Sequence, residues 1–386
     1  MSTGAVRSRL AAIDIVRGAV IVLMALDHTR DFTTNLGFPP ENLARASAVL
    51  FFTRWVTHVC APTFVLLAGV GIGLMADRGL PARDLRRYLV TRGLWLIVLD
   101  LVITPLGWSF AIEPLPVYAL VLWAIGLSMI AMAGAVALPR AWLLALSLAV
   151  IAGHNLTDAV RPPDLGPLAW LWTVLHAPGF LWPGGIFVGY PLVPWVAVVG
   201  VGVALADVYR WAPERRRRWL VGLGTAAVAL FVVLRALNGY GNPAPWRPQA
   251  TAALTAASFL NVLKYPPSLQ FLLMTLGPAL VALALAERAR GWWAGWLATY
   301  GRVPLFFYCA HIFVVHAAAV AIAFLQGGEL TRIQAVTHPE RIPPWFGIPL
   351  PAVYLVWMGI VAALFWPCRA YGRLKASGAH PWTRYL

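Results

Sequence analysis

Apolar residues run along this chain in long blocks separated by short polar gaps. A bilayer-spanning helix needs about 20 mostly apolar residues. Blocks near that length fall at 12–33, 49–76, 86–107, 115–137, 139–154, 186–208, 218–237, 267–287, 303–325 and 347–369, the fifth being short. The pattern predicts an all-α polytopic membrane protein of about ten transmembrane helices, forming one domain over residues 1–386. The segment 168–183 (LAWLWTVLHAPGFLWP) is aromatic and broken by Pro178 and Pro183, so it reads as an interfacial or re-entrant piece.

Composition agrees with this reading. Sixty per cent of the 386 residues are hydrophobic and 12% are charged, against roughly a quarter charged in soluble domains. The net charge of +15 would suggest nucleic acid in a soluble protein. Here the basic residues sit in alternate short gaps: Arg7 and Arg9; Arg78, Arg83, Arg86 and Arg87; Arg140; Arg210 and Arg215 to Arg218; Arg288 and Arg290; Arg369, Arg373 and Lys375. Such alternation marks the cytoplasmic side and predicts an even number of spans with both termini cytoplasmic. The opposite loops, 34–48, 155–185, 238–266 and 326–346, are longer and richer in Pro, Gly and Asn. The location expected is a membrane crossed many times, with lipid contacts and no nucleic-acid partner. Cys60, Cys309 and Cys368 have neither disulfide nor metal spacing, and no metal is expected. The histidines His154, His176, His338 and His380 fall in loops or at span ends and read as structural.

The first block carries the chemistry. DIVRGAVIVLMALDHTRD places Asp14, Arg17, Ile21, Met24, His28 and Asp31 on one helical face. Charges within a span cost a few kcal/mol unless paired or hydrated, and are functional candidates for that reason. Arg54 and His58 lie four apart in the second block, at a depth expected to match His28 in an adjacent helix. Later, Lys264 and Tyr265 precede Pro266 and Pro267, and His311 and His316 sit mid-span, about 140° apart and so poorly placed to share a metal. Each has a plainer role as well. The histidines can satisfy core hydrogen bonds, Arg54 can snorkel, and Lys264 can anchor at the interface. Walker, G-x-S-x-G and H-E-x-x-H motifs are absent from the sequence.

Four blocks in order, IDIVRGAVIVLMALDHTRDF, FFTRWVTHVCAPTFVLLAGVGIGL, LKYPPSLQFLLMTLGP and GRVPLFFYCAHIFVVHA, resemble bacterial members of the heparan-alpha-glucosaminide N-acetyltransferase catalytic-domain family. A D-x-x-R-G element matches at Asp14, Arg17 and Gly18, and a P-x-F-x-x-x-x-G element at Pro62, Phe64 and Gly69. The resemblance implies ten or eleven spans, cytoplasmic acyl-CoA (acetyl-CoA first) as co-substrate, and a saccharide or other envelope acceptor across the membrane. It also implies a histidine at the reaction centre and a location in a bacterial inner membrane. The catalytic histidine of the family's lysosomal enzyme has no counterpart in LARASAVLFFTRW, so His28 or His58 takes its place. Acyl transfer requires a base and a donor for the developing oxyanion. The expected catalytic set is therefore His28 held by Asp27 or Asp31, with His58 second and Arg54 or Arg30 as cation. Asp14, Arg17, Lys264, Tyr265 and His311 are assigned to acyl-CoA binding. A homodimer is one option for assembly. The alternative function is a transporter or flippase for a small polar or lipid-linked substrate, because charged spans serve transport equally well.

Overall fold

The computed structural model describes residues 3–110, 116–327 and 343–384, with side chains from residue 11 on save 381 and 384. His338 and the side chains of Arg7 and Arg9 lie outside the described residues. The chain is built around α1 (Thr3–Thr33), followed by α2 (Ala48–Trp55), a 3-10 turn over Val56–Val59, and α3 (Cys60–Ala76). Next come α4 (Ala82–Ser109), β1 (Val117–Ala119), α5 (Val121–Ala135), α6 (Arg140–Gly153) and α7 (Ala169–Leu175). After β2 (Gly179–Phe180) and β3 (Ile186–Val188) run α8 (Leu192–Leu205), α9 (Pro213–Leu237), α10 (Ala252–Leu260) and α11 (Leu269–Ala286). The chain closes with α12 (Trp292–Gly301), α13 (Pro304–Leu325) and α14 (Leu350–Ser377).

Among the described residues, seven helical stretches are long and apolar enough to cross a membrane, or eight if the bent pair 140–157 and 162–175 forms one span. The expected ten also counted three helices that fall short of this measure. One is α1, with its charges. Another is α5, with 15 residues. The third is α6, whose continuation turns back through 110° at a break. That turn, between residues 157 and 162, precedes the aromatic, proline-broken segment 168–183. The helical fold also contains a small three-stranded sheet, in which β3 pairs parallel with β1 and antiparallel with β2.

α1 packs against α3, α11, α12, α13 and α14. Its closest approach is to α12: a Cβ at Gly18 would fall 1.9 Å from the Leu297 carbonyl oxygen, and one at Gly301 would fall 1.8 Å from that of Asp14. Only glycine lets these two backbones meet, which explains the glycine of the D-x-x-R-G element. Gly69 plays the same part between α3 and α8, where a Cβ would come within 2.1 Å of the Val199 carbonyl oxygen.

One end of the bundle is pinned by a charge cluster. Arg140 at the start of α6 bonds the carboxylates of Asp77 and Asp207, and Arg210 bonds Asp77 as well. Burial opposes ionisation of Asp77, but the hydrogen bonds from Arg210 and Arg140 outweigh it and hold this carboxyl below its usual range. Arg216, one of the residues read as a loop charge, is buried and holds Glu287 with Nε–Oε1 2.5 Å and Nη2–Oε2 2.9 Å.

Candidate functional site

Two cavities lie along α1, one towards each end. The first has a volume of about 170 Å³ and is walled by Asp27, His28, Asp31, Arg54, Trp108, Tyr190, Lys264, Tyr265 and neighbours. The second, about 350 Å³, carries Arg17, Arg92, Arg302 and Lys375 around a mainly apolar wall that includes Ile21, Leu67, Leu96 and Ile125. Four side chains belong to both: Met24, Phe64, Val121 and Tyr308. The α1 face expected from the sequence therefore runs along both cavities, with Arg17, Ile21, Met24, His28 and Asp31 in their walls.

The polar cavity is held by a balanced charge network. Asp27 receives Arg54 and, at 2.9 Å, Arg30, which also pairs with Asp31. Arg54 Nε reaches Glu41 Oε1 at 2.8 Å from the loop ahead of α2. With Lys264, three cations stand against the three carboxylates of Asp27, Asp31 and Glu41. Such balance matters because an unmatched buried charge costs several kcal/mol. Burial resists ionisation of Glu41, yet the Arg54 guanidinium prevails and holds the carboxyl far below its ordinary range. The carboxylates expected to hold His28 are thus turned to arginines.

His28 has a different partner. His311 Nδ1 lies 3.0 Å from the Phe307 carbonyl, which can only accept, so that nitrogen carries the proton. Nε2 of neutral His311 then accepts from His28 Nδ1–H at 2.8 Å. His28 is left with Nε2 as its basic nitrogen, while Trp108 packs edge-on 5.5 Å from its ring. His311, fully buried, borders neither cavity and touches His28 instead of the acyl-CoA position assigned to it. His316 faces another way, towards the Gly107 carbonyl of α4 at 2.9 Å.

His58 does not converge with His28 in one cavity. The 3-10 turn over Val56–Val59 interrupts the helix there, and His58 borders neither cavity. Its Nε2 stands 3.6 Å from Glu41 Oε1, and among the described residues neither ring nitrogen has a hydrogen-bond partner.

Lys264 and Tyr265 stand in the polar cavity wall, at the far end from Asp14 and Arg17, with which they were grouped. Arg235 sets their position by donating to the carbonyls of Ala244, Ser258, Phe259 and Asn261, all at 2.8–2.9 Å. Asn242 accepts from Leu263 N at 2.7 Å, and Ser268 caps α11. The Tyr265 hydroxyl meets that of Tyr190 at 3.3 Å. Burial opposes ionisation of Tyr265, but Lys264 and Arg54 outweigh this and draw the phenol below its usual range. Asp14 stays outside both cavities and pairs with Arg17 at 3.4 Å, while Arg17 also donates to the Gly301 carbonyl at 3.2 Å.

Sequence reasoning missed Arg92, Lys375, Tyr190 and Trp108 in these walls. The first two lie within helices whose basic residues all read as topology signals. The aromatics lie in an apolar chain where tryptophan and tyrosine carry little information singly.

No curated protein matches the chain in sequence. The pattern of one family, described as heparan-alpha-glucosaminide N-acetyltransferase, catalytic, matches residues 9–237. This stretch takes in α1 from residue 9 on, the 3-10 break, α3 and most of both cavity walls, whereas Lys264 and His311 lie beyond it. More than half the chain follows that pattern, and the protein belongs to the heparan-alpha-glucosaminide N-acetyltransferase catalytic family of membrane acetyltransferases.

Proposed function

We propose that the protein transfers an acetyl group from cytoplasmic acetyl-CoA to an extracytoplasmic sugar or other envelope acceptor, with His28 as the base. The observation that carries this reading is the pair of cavities joined by Met24, Phe64, Val121 and Tyr308. One has a basic rim and an apolar wall, suited to the phosphates and pantetheine arm of a coenzyme A thioester. The other is polar and holds the histidine. A thioester reaching the shared residues would place its carbonyl within range of the polar cavity. Family membership favours this chemistry over the transporter reading.

In the proposed reaction His28 Nε2 removes the proton from the acceptor's hydroxyl or amine as that atom bonds to the thioester carbonyl carbon. His28 returns the proton to the departing thiolate as the carbon–sulfur bond breaks. Lys264, with Arg54, stabilises the carbonyl oxygen as negative charge develops. His311 acts as a positioning residue, fixing the His28 tautomer through the Phe307 carbonyl. Within this reading α1, α5 and α6 complete ten spans of one membrane domain, both termini are cytoplasmic, and Arg17, Arg92, Arg302 and Lys375 greet the donor.

The experiment uses purified protein in proteoliposomes, radiolabelled acetyl-CoA and a panel of amino sugars and envelope glycans. His28→Ala is expected to lower acetyl transfer by roughly 10²- to 10⁴-fold while acetyl-CoA binding persists. Full transfer by this variant removes His28 from the role, and absence of acetyl-CoA binding by the wild type overturns the function.

A further inference from the structure

A second group of chemistry-bearing side chains lies outside both cavities. α6 ends at Gly153 and passes into a 3-10 turn over His154–Thr157. The chain then folds back through 110° into the stretch ending with α7. This reversal brings His176, just after α7, to His154 and Asp158. Each of the three offers one ligand atom, and these atoms all lie within 4.8 Å of one another. The His154 and His176 rings stand edge-to-face with centroids 5.5 Å apart, and His176 Nε2 is 3.2 Å from Asp158 Oδ1. Spacings of four and eighteen residues form no recognisable ligand motif, so the sequence gives no hint of the group.

His176 and Asp158 alone would make an ordinary hydrogen-bonded pair. Thr157 Oγ1, which donates to the His154 carbonyl at 2.6 Å, would accept beside it at 3.3 Å. His154 is the residue that this plain account leaves over. It is only 6% exposed, and among the described residues neither of its ring nitrogens has a hydrogen-bond partner. A buried imidazole with both nitrogens unserved is costly. A cation held jointly by His154, His176 and Asp158 would give one of these nitrogens its partner. The Asp158 side chain is 23% exposed, which leaves a route for the ion and for water.

We propose that His154, Asp158 and His176 form a binding site for a divalent transition metal of the zinc class. Two imidazoles and one carboxylate favour zinc over calcium or magnesium, which prefer all-oxygen sets, and three protein ligands leave a fourth position for water. The surroundings have the form of a supporting shell. Asn155 Nδ2 donates to Asp158 Oδ2 at 2.9 Å, while its Oδ1 accepts from Leu269 N at 2.9 Å, at the start of α11. The ion would therefore fasten the folded-back segment to the helix whose preceding loop carries Lys264 and Tyr265. It lies at the same end of the bundle as His28 but outside the proposed reaction, so the two ideas stand or fall separately.

The test is zinc binding to the full-length protein, purified in detergent with a histidine-free tag and stripped with chelator. One zinc per chain is expected by elemental analysis after desalting, with a rise in melting temperature. His154→Ala should abolish both. Asn155→Ala, which keeps all three ligands, should weaken zinc affinity by roughly 10- to 100-fold. Should His154→Ala fail to fold, cobalt added to the wild-type protein is decisive: intense visible bands of tetrahedral cobalt support the site. Absence of those bands overturns it, as does zinc stoichiometry equal in wild type and a folded His154→Ala.

Discussion

His28 shows how one backbone carbonyl can set the chemistry of a side chain two bonds of contact away. The Phe307 carbonyl settles the proton on His311, and His311 settles it on His28, leaving His28 Nε2 basic. His311→Phe should therefore keep acetyl-CoA binding but lower kcat by at least about tenfold, with an altered pH–rate profile. His311→Asn, whose amide can accept from His28, should recover part of the loss. A variant with unchanged kcat and pH profile would show that the pair is only packing. The α1 face bearing His28 was readable from spacing alone, because a helix of period 3.6 puts its polar positions in register. The His28–His311 bond was not, since 283 residues separate the partners and nothing local in the sequence couples them. The carboxylates misled for a related reason. Proximity in sequence suggested that Asp27 and Asp31 serve His28, whereas Arg30 and Arg54 pair with Asp27 and Arg30 with Asp31.

At the scale of elements, the contact of α1 with α12 determines where both cavities lie, because α1 forms a wall of each. Gly18→Val would drive a branched side chain into the Leu297 carbonyl, 1.9 Å from the first added carbon. A loss of about 1–3 kcal/mol or more is expected, read as a lower melting temperature in detergent, together with weaker acetyl-CoA binding through displacement of Arg17. An unchanged melting temperature would mean that α1 and α12 can separate freely. The long apolar helices were legible as blocks, since burial in lipid demands apolar runs of a known length. The break at Val56–Val59 was hidden, because an apolar 3-10 turn and an apolar helix share the same composition. So was α12, a 10-residue helix too short to stand out as a block, whose Gly301 meets the α1 backbone.

For the whole molecule, the proposal divides labour between the two ends of the bundle. Arg92→Ala and Arg302→Ala each remove a cation from the rim of the larger cavity. A charge-assisted hydrogen bond is worth about 1.5–3 kcal/mol, so each change should raise KM for acetyl-CoA by roughly tenfold or more, with kcat nearly kept. A dephospho analogue should lose its sensitivity to the change at whichever arginine meets the missing phosphate. An equal fall in kcat with KM unchanged would place these arginines elsewhere in the cycle.

The four side chains common to both cavities have a consequence beyond chemistry. Two hollows set end to end in a membrane are most of the way to a pore, and Met24, Phe64, Val121 and Tyr308 form the partition between them. In an energised membrane that partition would also have to be a seal, since water threading past it would carry protons down their gradient. Phe64→Ala should therefore make proteoliposomes leak protons under an imposed potential, measured with an internal pH dye and relieved when a thioester fills the gap. Tight vesicles with this variant would mean that other layers of the bundle provide the insulation.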